Sequence, residues 1–284
     1  MIVFGKDPGF FAAAALNDRM GRAALESRAV KMKIIDIGVP LDAAPYPPWN
    51  YRFKRVSHDE GARAMLRLFK GSDVGDYPDS MALGWETITL TGHAGNHIDA
   101  PWHFGPLCEG RPARTIDQIP LEWCYGDGVR LDFRHREGED ISVEDIKGEL
   151  ARIEYTLKPL DIVLLWTGSD QYLDNVDEYV RRQAGLSVAG QNFILDQGVK
   201  LIGIDAIAMD VSFATMARGL REGHPDALFP AHFVGREREH LHMEKLANLG
   251  AIPRPFNFKV SALPIKITGG SAGWVRPVAI VEDE

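Results

Sequence analysis

Three of the nine histidines fall between positions 93 and 103, in the run Gly92-His93-Ala94-Gly95-Asn96-His97-Ile98-Asp99-Ala100-Pro101-Trp102-His103-Phe104. Imidazoles and a carboxylate are the nitrogen and oxygen donors that a divalent cation such as Zn²⁺ or Mn²⁺ takes. His93 and His97 have helical i, i+4 spacing, but Gly92, Gly95 and Pro101 oppose a helix and the residues before them alternate as a strand does. An extended run follows. Side chains of an extended chain alternate faces, so His93, His97, Asp99 and His103 should project to one side while Ile98, Ala100 and Trp102 pack on the other. His93, His97 and Asp99 become candidate metal ligands, and Gly95 would let the backbone bend close to the ion. His103 stands one step beyond. A bound metal lowers the pKa of water from about 15.7 towards about 7, and a neighbouring imidazole can take or return a proton as that water attacks a carbonyl. His103 is therefore the candidate catalytic residue, in metal hydrolase chemistry. A lone histidine is more often a satisfied surface or core residue, but four aligned groups are what coordination needs and packing does not. His58 and His135 sit among charges and turn residues and receive no role.

The elements that position this run read as mixed α/β. Strands are expected over residues 33–39 (KIIDIGV), 82–90 (ALGWETITL), 128–133, 162–167 (IVLLWT, buried on both faces), 200–205 (KLIGID), 241–244, 259–267 and 278–281. Residues 40–49 are too rich in proline to continue the first strand and should form a rigid loop. Ser142 and Asp145 resemble a capping box that opens a helix running to about Tyr155, and the helix from Ser187 should end at Gly198. The Ala-rich residues 10–28 read as a further helix.

With 284 residues, 45% hydrophobic and 25% charged, the chain has the balance of an ordinary globular domain, which excludes disorder and fibrous repeats. Lys plus Arg total 32 against 40 Asp plus Glu, so the net charge is -8 and nucleic acid is not an expected partner. Only Cys108 and Cys124 occur, without a C-x-x-C pair, so neither a zinc ribbon nor a disulfide framework is supported and a cytoplasmic setting is expected. The apolar run near the start is too short to span a bilayer, and its flank lacks the net positive charge of a signal peptide, so no membrane partner is expected.

The run His93-x-Gly95-x-His97-x-Asp99-x-Pro101-x-His103-Phe104 is similar to the H-x-G-T-H-x-D-x-P-x-H-F signature of the cyclase-like metal hydrolases, which include bacterial kynurenine formamidase (arylformamidase) and isatin hydrolase. Asn96 replaces the usual Thr. Ile35-Asp36-Ile37 with Pro40, the Ile202-Gly203-Ile204-Asp205 stretch, and Leu263-Pro264-Ile265-Lys266-Ile267 with Gly269 and Arg276 resemble further family segments, so the resemblance spans about residues 33–281. It implies a swivelling β/β/α fold with a mixed sheet, formed by a metal hydrolase domain over residues 33–284, with residues 1–32 as an added helical extension. It also implies assembly as a homodimer or homotetramer around a small-molecule substrate. Carried over position by position, His93, His97 and Asp99 would hold a first Zn²⁺ or Mn²⁺ ion, Asp99 and Glu244 would bridge to a second held by His232, and His103 would move protons; one or two ions per chain are implied.

Read from the residues alone, His240, His242 and Glu244 alternate on one strand face and form an equally good trio. Outside such a trio, His240 and His242 lie in a Glu- and Arg-rich run that reads as a solvated strand end. Family members open N-formyl amides, cyclic amides or lactones. Trp49 and Trp85, with Tyr46 and Phe53, lie on segments that the family places near the metal and are candidates for an apolar substrate wall. Kynurenine formamidases resemble one another around a W-P-G-D loop, whereas Pro47-Pro48-Trp49-Asn50 and a longer insert over residues 52–77 stand here. A lactone or cyclic amide from aromatic-compound breakdown is the expected substrate, with N-formylkynurenine as the alternative. Rival readings are a non-haem Fe(II) oxygenase using His97, Asp99 and His232, and a non-catalytic metal-binding protein.

Overall fold

The computed structural model describes residues 32–41 and 52–282. The expected helix over residues 10–28, most of the proline-rich loop, Tyr46 and Trp49 lie outside the described residues. Nine strands form one mixed sheet, in spatial order Met32–Asp36, Val278–Glu282, Phe258–Ser261, Tyr125–Asp132, Ile162–Trp166, Leu201–Ile204, Leu241–Glu244, His97–Asp99 and Ala272–Trp274. The four from Tyr125–Asp132 to Leu241–Glu244 run parallel. Every other pairing within this sheet is antiparallel.

Burial of the middle strands on both faces organises the rest. Along Ile162–Trp166, Val163 and Leu165 enter one apolar core while Ile162 and Leu164 enter the other. A strand apolar on both faces must be covered on both. Helices Val143–Arg152 and Val188–Asp196 cover the first, contributing Ile146, Leu150, Ile194 and Leu195. Their ends are chemical: Ser142 Oγ accepts from Asp145 N at 3.2 Å while Asp145 Oδ2 accepts from Ser142 N at 2.8 Å. Ser187 Oγ accepts from Gly190 N at 3.0 Å, and Gly198 leaves that second helix at φ +84°. The second core joins Ile98, Leu241 and Met243 to Phe258, Val260 and Ala279.

Three expectations change. The strand expected over residues 259–267 stops at Ser261, and Leu263 and Ile265 are exposed; Pro264 has no N–H to give a ladder. Residues 52–77, expected as a longer insert, hold regular structure of their own. Arg52–Val56 pairs antiparallel with Trp85–Thr89, and helix His58–Met65 follows with a Ser57–Glu60 capping box. The alternation in Arg52–Val56 is masked by charge, because its residues are exposed or half-buried. Finally, only His97–Asp99 of the histidine run is extended. Gly95 turns the chain at φ +55°, and Pro101–Phe104 is a helical turn. Among the described residues no helix is long and apolar enough to cross a membrane.

Candidate metal centre

Strand register builds the centre of the site. His97–Asp99 lies antiparallel between Leu241–Glu244 and Ala272–Trp274, with His97 opposite Glu244 and Asp99 opposite His242. The period of two sends these four polar side chains to one face and leaves Ile98 and Met243, both fully buried, to the core behind. Each ligand candidate is thus backed by packed apolar residues that fix its strand.

The other groups arrive from turns. His93, on the turn before the strand, places Nδ1 2.8 Å from Asp99 Oδ1, with Nε2 3.0 Å from Ser271 Oγ. His97 donates from Nδ1 to Gly95 O at 2.9 Å, which directs Nε2 towards Asp99 Oδ1 at 3.2 Å and Glu244 Oε2 at 3.6 Å. His232, on the helical turn Pro230–Phe233, has Nδ1 hydrogen-bonded to Asp210 Oδ2, and its Nε2 faces Glu244 Oε1 at 3.6 Å and Asp99 Oδ2 at 3.8 Å. Both carboxylates therefore present one oxygen to His97 and the other to His232. His103 reaches the group from its helical turn, with its ring 4.0 Å from that of His93 and 5.5 Å from that of His232. One side of His103 stays exposed.

These approaches do not satisfy one another as hydrogen bonds. Despite the short distances, His97 Nε2 and both oxygens of Asp99 lack a partner of hydrogen-bond geometry among the described residues. Orphaned buried polar atoms cost free energy unless something supplies the missing charge. Burial would raise the Asp99 carboxyl, but the imidazoles of His97 and His103 and the contact with His93 outweigh it and hold Asp99 well below the usual range. Burial, with the Lys245 cation beside it, pushes His97 itself down to about 4. Crowding by protein likewise lowers His103, though solvent on its open side screens part of that effect. A carboxylate held ionised beside several imidazoles is a donor set that a cation would complete. His232 differs: burial opposes its charge, but Asp210, Glu244 and Asp99 prevail and raise it to about 9, while burial and Asp99 raise Glu244 to about 7.

The structure thus brings together His93, His97, Asp99, His103, His232 and Glu244, and does so without the continuous extended run expected. Trp102 is 49% exposed instead of packed, because the turn at Pro101 ends the alternation. Gly95 is needed for its positive φ and for Leu41, whose Cδ1 would lie 2.8 Å from an added Cβ. His240 and His242 are fully buried, so they do not form a solvated strand end. Trp85 lies on the hairpin and lines a cavity of about 410 Å³ with Lys54, Glu60 and Arg67, while a larger one of about 750 Å³ is lined by Leu41, Asn96, Ile265 and Trp274. Neither is lined by the six gathered residues.

Aromatic rings do adjoin the imidazoles. Phe104 and Phe229 have ring centres 5.7 and 5.9 Å from that of His232. The sequence reading missed these two, together with Asp210, which orients His232, Ser271, which orients His93, and Lys245, whose Nζ donates to His93 O at 2.8 Å. The sequence did hold one signal for Asp210, a carboxylate shortly beyond the strand ending Ile204. Asn96, at the usual Thr position, accepts from Val39 N and donates to Lys245 O, both at 2.5 Å, tying the strand to the Glu244-Lys245 bend.

The chain belongs to the Cyclase family, whose model matches residues 35–211. It is 27% identical over 200 residues to the kynurenine formamidase of Salinibacter ruber (strain DSM 13855 / M31), covering 70% of this chain and 81% of that protein. Among solved structures, it is similar in fold to an isatin hydrolase bound to the product analogue thioisatinate, with a TM-score of 0.69 at 19% identity over 89% of this chain and 93% of that one. Isatin hydrolase A from Ralstonia solanacearum gives a TM-score of 0.67 at 20% identity, covering 88% and 92%. The mixed-sheet α/β fold is the one these structures share.

Proposed function

We propose that this chain is a metal-dependent hydrolase that opens the carbonyl bond of a lactone or cyclic amide carried on an aromatic skeleton. The observation that carries the reading is the pair of buried carboxylates, Asp99 and Glu244, each offering one oxygen to His97 and one to His232, with both Asp99 oxygens lacking a proton donor. His93, His97 and Asp99 would hold one Zn²⁺ or Mn²⁺ ion, and His232 with the two bridging carboxylates would hold a second. Such ions, when bound, acidify water and polarise a carbonyl oxygen. The chain's own residues do the rest. Asp210 and the Gly95 carbonyl fix which nitrogen of His232 and His97 faces inward. His103, neutral and open to solvent on one side, takes the proton from the attacking water and returns it to the leaving oxygen or nitrogen. Phe229, 38% exposed beside His232, offers a face for the substrate's ring.

The similarity to kynurenine formamidase and isatin hydrolase supports carbonyl hydrolysis at this site. N-formylkynurenine is the second candidate substrate, favoured by the identity to the Salinibacter ruber protein. An oxygenase triad of His97, Asp99 and His232 would leave His93 and Glu244 unused. A screen of isatin, dienelactone-type lactones and N-formylkynurenine, with Zn²⁺ or Mn²⁺ added, tests the proposal. Metal-dependent ring opening supports it. Turnover of N-formylkynurenine alone moves the substrate to an N-formyl amide, and hydrolysis that survives exhaustive chelation overturns the metal role.

A further inference from the structure

Behind the carboxylates lies a second, entirely buried polar group that the proposed chemistry does not use. His240, His242 and Gln191 are each 0% exposed. His242 Nε2 is 3.0 Å from His240 Nε2, and Gln191 Nε2 closes the triangle at 2.6 Å from His240 and 2.9 Å from His242. His240 Nδ1 lies 2.7 Å from Arg238 O, which only accepts, so that nitrogen carries the proton and a neutral His240 has a bare Nε2. His242 Nδ1 is buried without a hydrogen-bond partner. A ligand atom of His242 nonetheless lies within 4.8 Å of ligand atoms of Asp99, His232 and Glu244.

Two proton arrangements fit the triangle. In the first, the Gln191 amide gives one N–H to each Nε2, and His242 Nδ1–H is left with no acceptor. In the second, His242 donates from Nε2 to the bare Nε2 of His240, the Gln191 N–H that faced His242 loses its acceptor, and Nδ1 becomes a bare lone pair. Each arrangement leaves one buried donor unsatisfied, which costs about 1–3 kcal/mol. The second leaves a bare nitrogen that only a cation or a donor can use. Register reinforces this: His242 stands directly opposite Asp99 on the neighbouring antiparallel strand, the closest cross-strand relation a sheet offers.

We propose that His242 is an additional metal ligand, giving Nδ1 to the cation shared by Asp99, His232 and Glu244, with His240 as the positioning residue whose bare Nε2 holds its proton on Nε2. The inference rests on the metal reading of the site and adds a ligand to it. A metal-bound imidazole is normally oriented by a hydrogen bond from its other nitrogen, and loss of such a partner typically costs 10- to 100-fold in metal affinity. His240 fills that place for His242 as Asp210 does for His232.

The test is Zn²⁺ affinity, measured by chelator competition, with ion stoichiometry by elemental analysis. The variants are His242→Phe, chosen because His242 already packs 4.9 Å from the Phe104 ring, His240→Phe, Gln191→Leu and His232→Ala as reference. His242→Phe should weaken one Zn²⁺ by more than about 10²-fold and His240→Phe by roughly 10- to 100-fold, while Gln191→Leu, which removes only a competing donor, should leave affinity in place. Unchanged affinity in His242→Phe while His232→Ala loses an ion overturns the inference and leaves the metal site standing. Unchanged affinity in both removes the metal reading itself. The unaltered protein gives a readout independent of whether the variants fold: long-range ¹H–¹⁵N spectra of the Zn²⁺-loaded chain should find the His242 proton on Nε2, and a proton on Nδ1 overturns the proposal.

Discussion

Two carboxylates in this fold are removed from water and provided for in opposite ways. Asp205, at the end of strand Leu201–Ile204, accepts from Thr167 N at 2.8 Å, Thr167 Oγ1 at 2.6 Å and Gly168 N at 2.7 Å. Asp99, one strand beyond Leu241–Glu244 in the same sheet, has no donor in hydrogen-bond geometry on either oxygen among the described residues. Burial raises Asp205 to about 7 against those three donors, whereas Asp99 is held well below the usual carboxylate range by the imidazoles around it. On the proposed metal reading, the difference separates a buried acid that finishes a loop from one that a cation would complete. The chain's own N–H and O–H groups complete the first, whereas the second has no such donors in hydrogen-bond geometry among the described residues.

The comparison is sharpened most by His103, which serves the Asp99 side alone. His103→Ala should lower turnover by roughly 10²- to 10⁴-fold, with ion content unchanged by elemental analysis. Loss of metal together with activity would make His103 a ligand. Asp210→Asn keeps the shape of the partner that orients His232 but not its charge, and should weaken one ion by roughly 10- to 100-fold in chelator competition. Unchanged affinity would mean that Asp210 only caps the turn through Ala231 N.

The Asp205 side should answer to pH. Unfolded, this carboxyl releases its proton near 3.8; folded, it keeps it to about 7. Between those values the folded state holds the extra proton, so the Asp205 contribution is fully present below about 4 and is lost as pH rises towards 7. Denaturant titrations across that range should find Asp205→Asn lacking this component of the slope, and an unchanged slope would assign it elsewhere. The smallest effect is expected at the mouth of the site, where Phe229→Ala should raise KM for an aryl substrate roughly 5-fold, about 1 kcal/mol of ring contact, with little change in kcat. A fall in kcat alone would place Phe229 against the reacting bond.

How much of this was legible depends on how local the cause is. His93, His97, Asp99 and His103 announced themselves by spacing, yet the strand-face geometry offered for them holds only over His97–Asp99, since Gly95 and Pro101 bend the chain on either side. Capping at Ser142 and two-faced burial at residues 162–165 were readable because each is settled within a few residues. Glu244 was readable from the residues as part of an alternating trio with His240 and His242, but its pairing with His232 came through the family resemblance. Asp210 and Lys245 emerge from strand order and register, which pair Leu241–Glu244 with His97–Asp99 across well over a hundred residues, and no local window carries that pairing. Trp85 was assigned by analogy of segment, and its hairpin carries it to a cavity that none of the gathered residues lines.

The central claim is that Asp99, unlike Asp205, needs a cation. Its most direct test is the ion content of Asp99→Asn and Asp205→Asn after loading with Zn²⁺ or Mn²⁺, each checked for native circular dichroism. The account predicts that Asp99→Asn remains folded and loses bound ion, while Asp205→Asn, where an amide N–H₂ would face Gly168 N–H or Thr167 N–H, is destabilised by about 1–3 kcal/mol but binds as the parent does. Full ion content in Asp99→Asn, or equal loss in both, would contradict it.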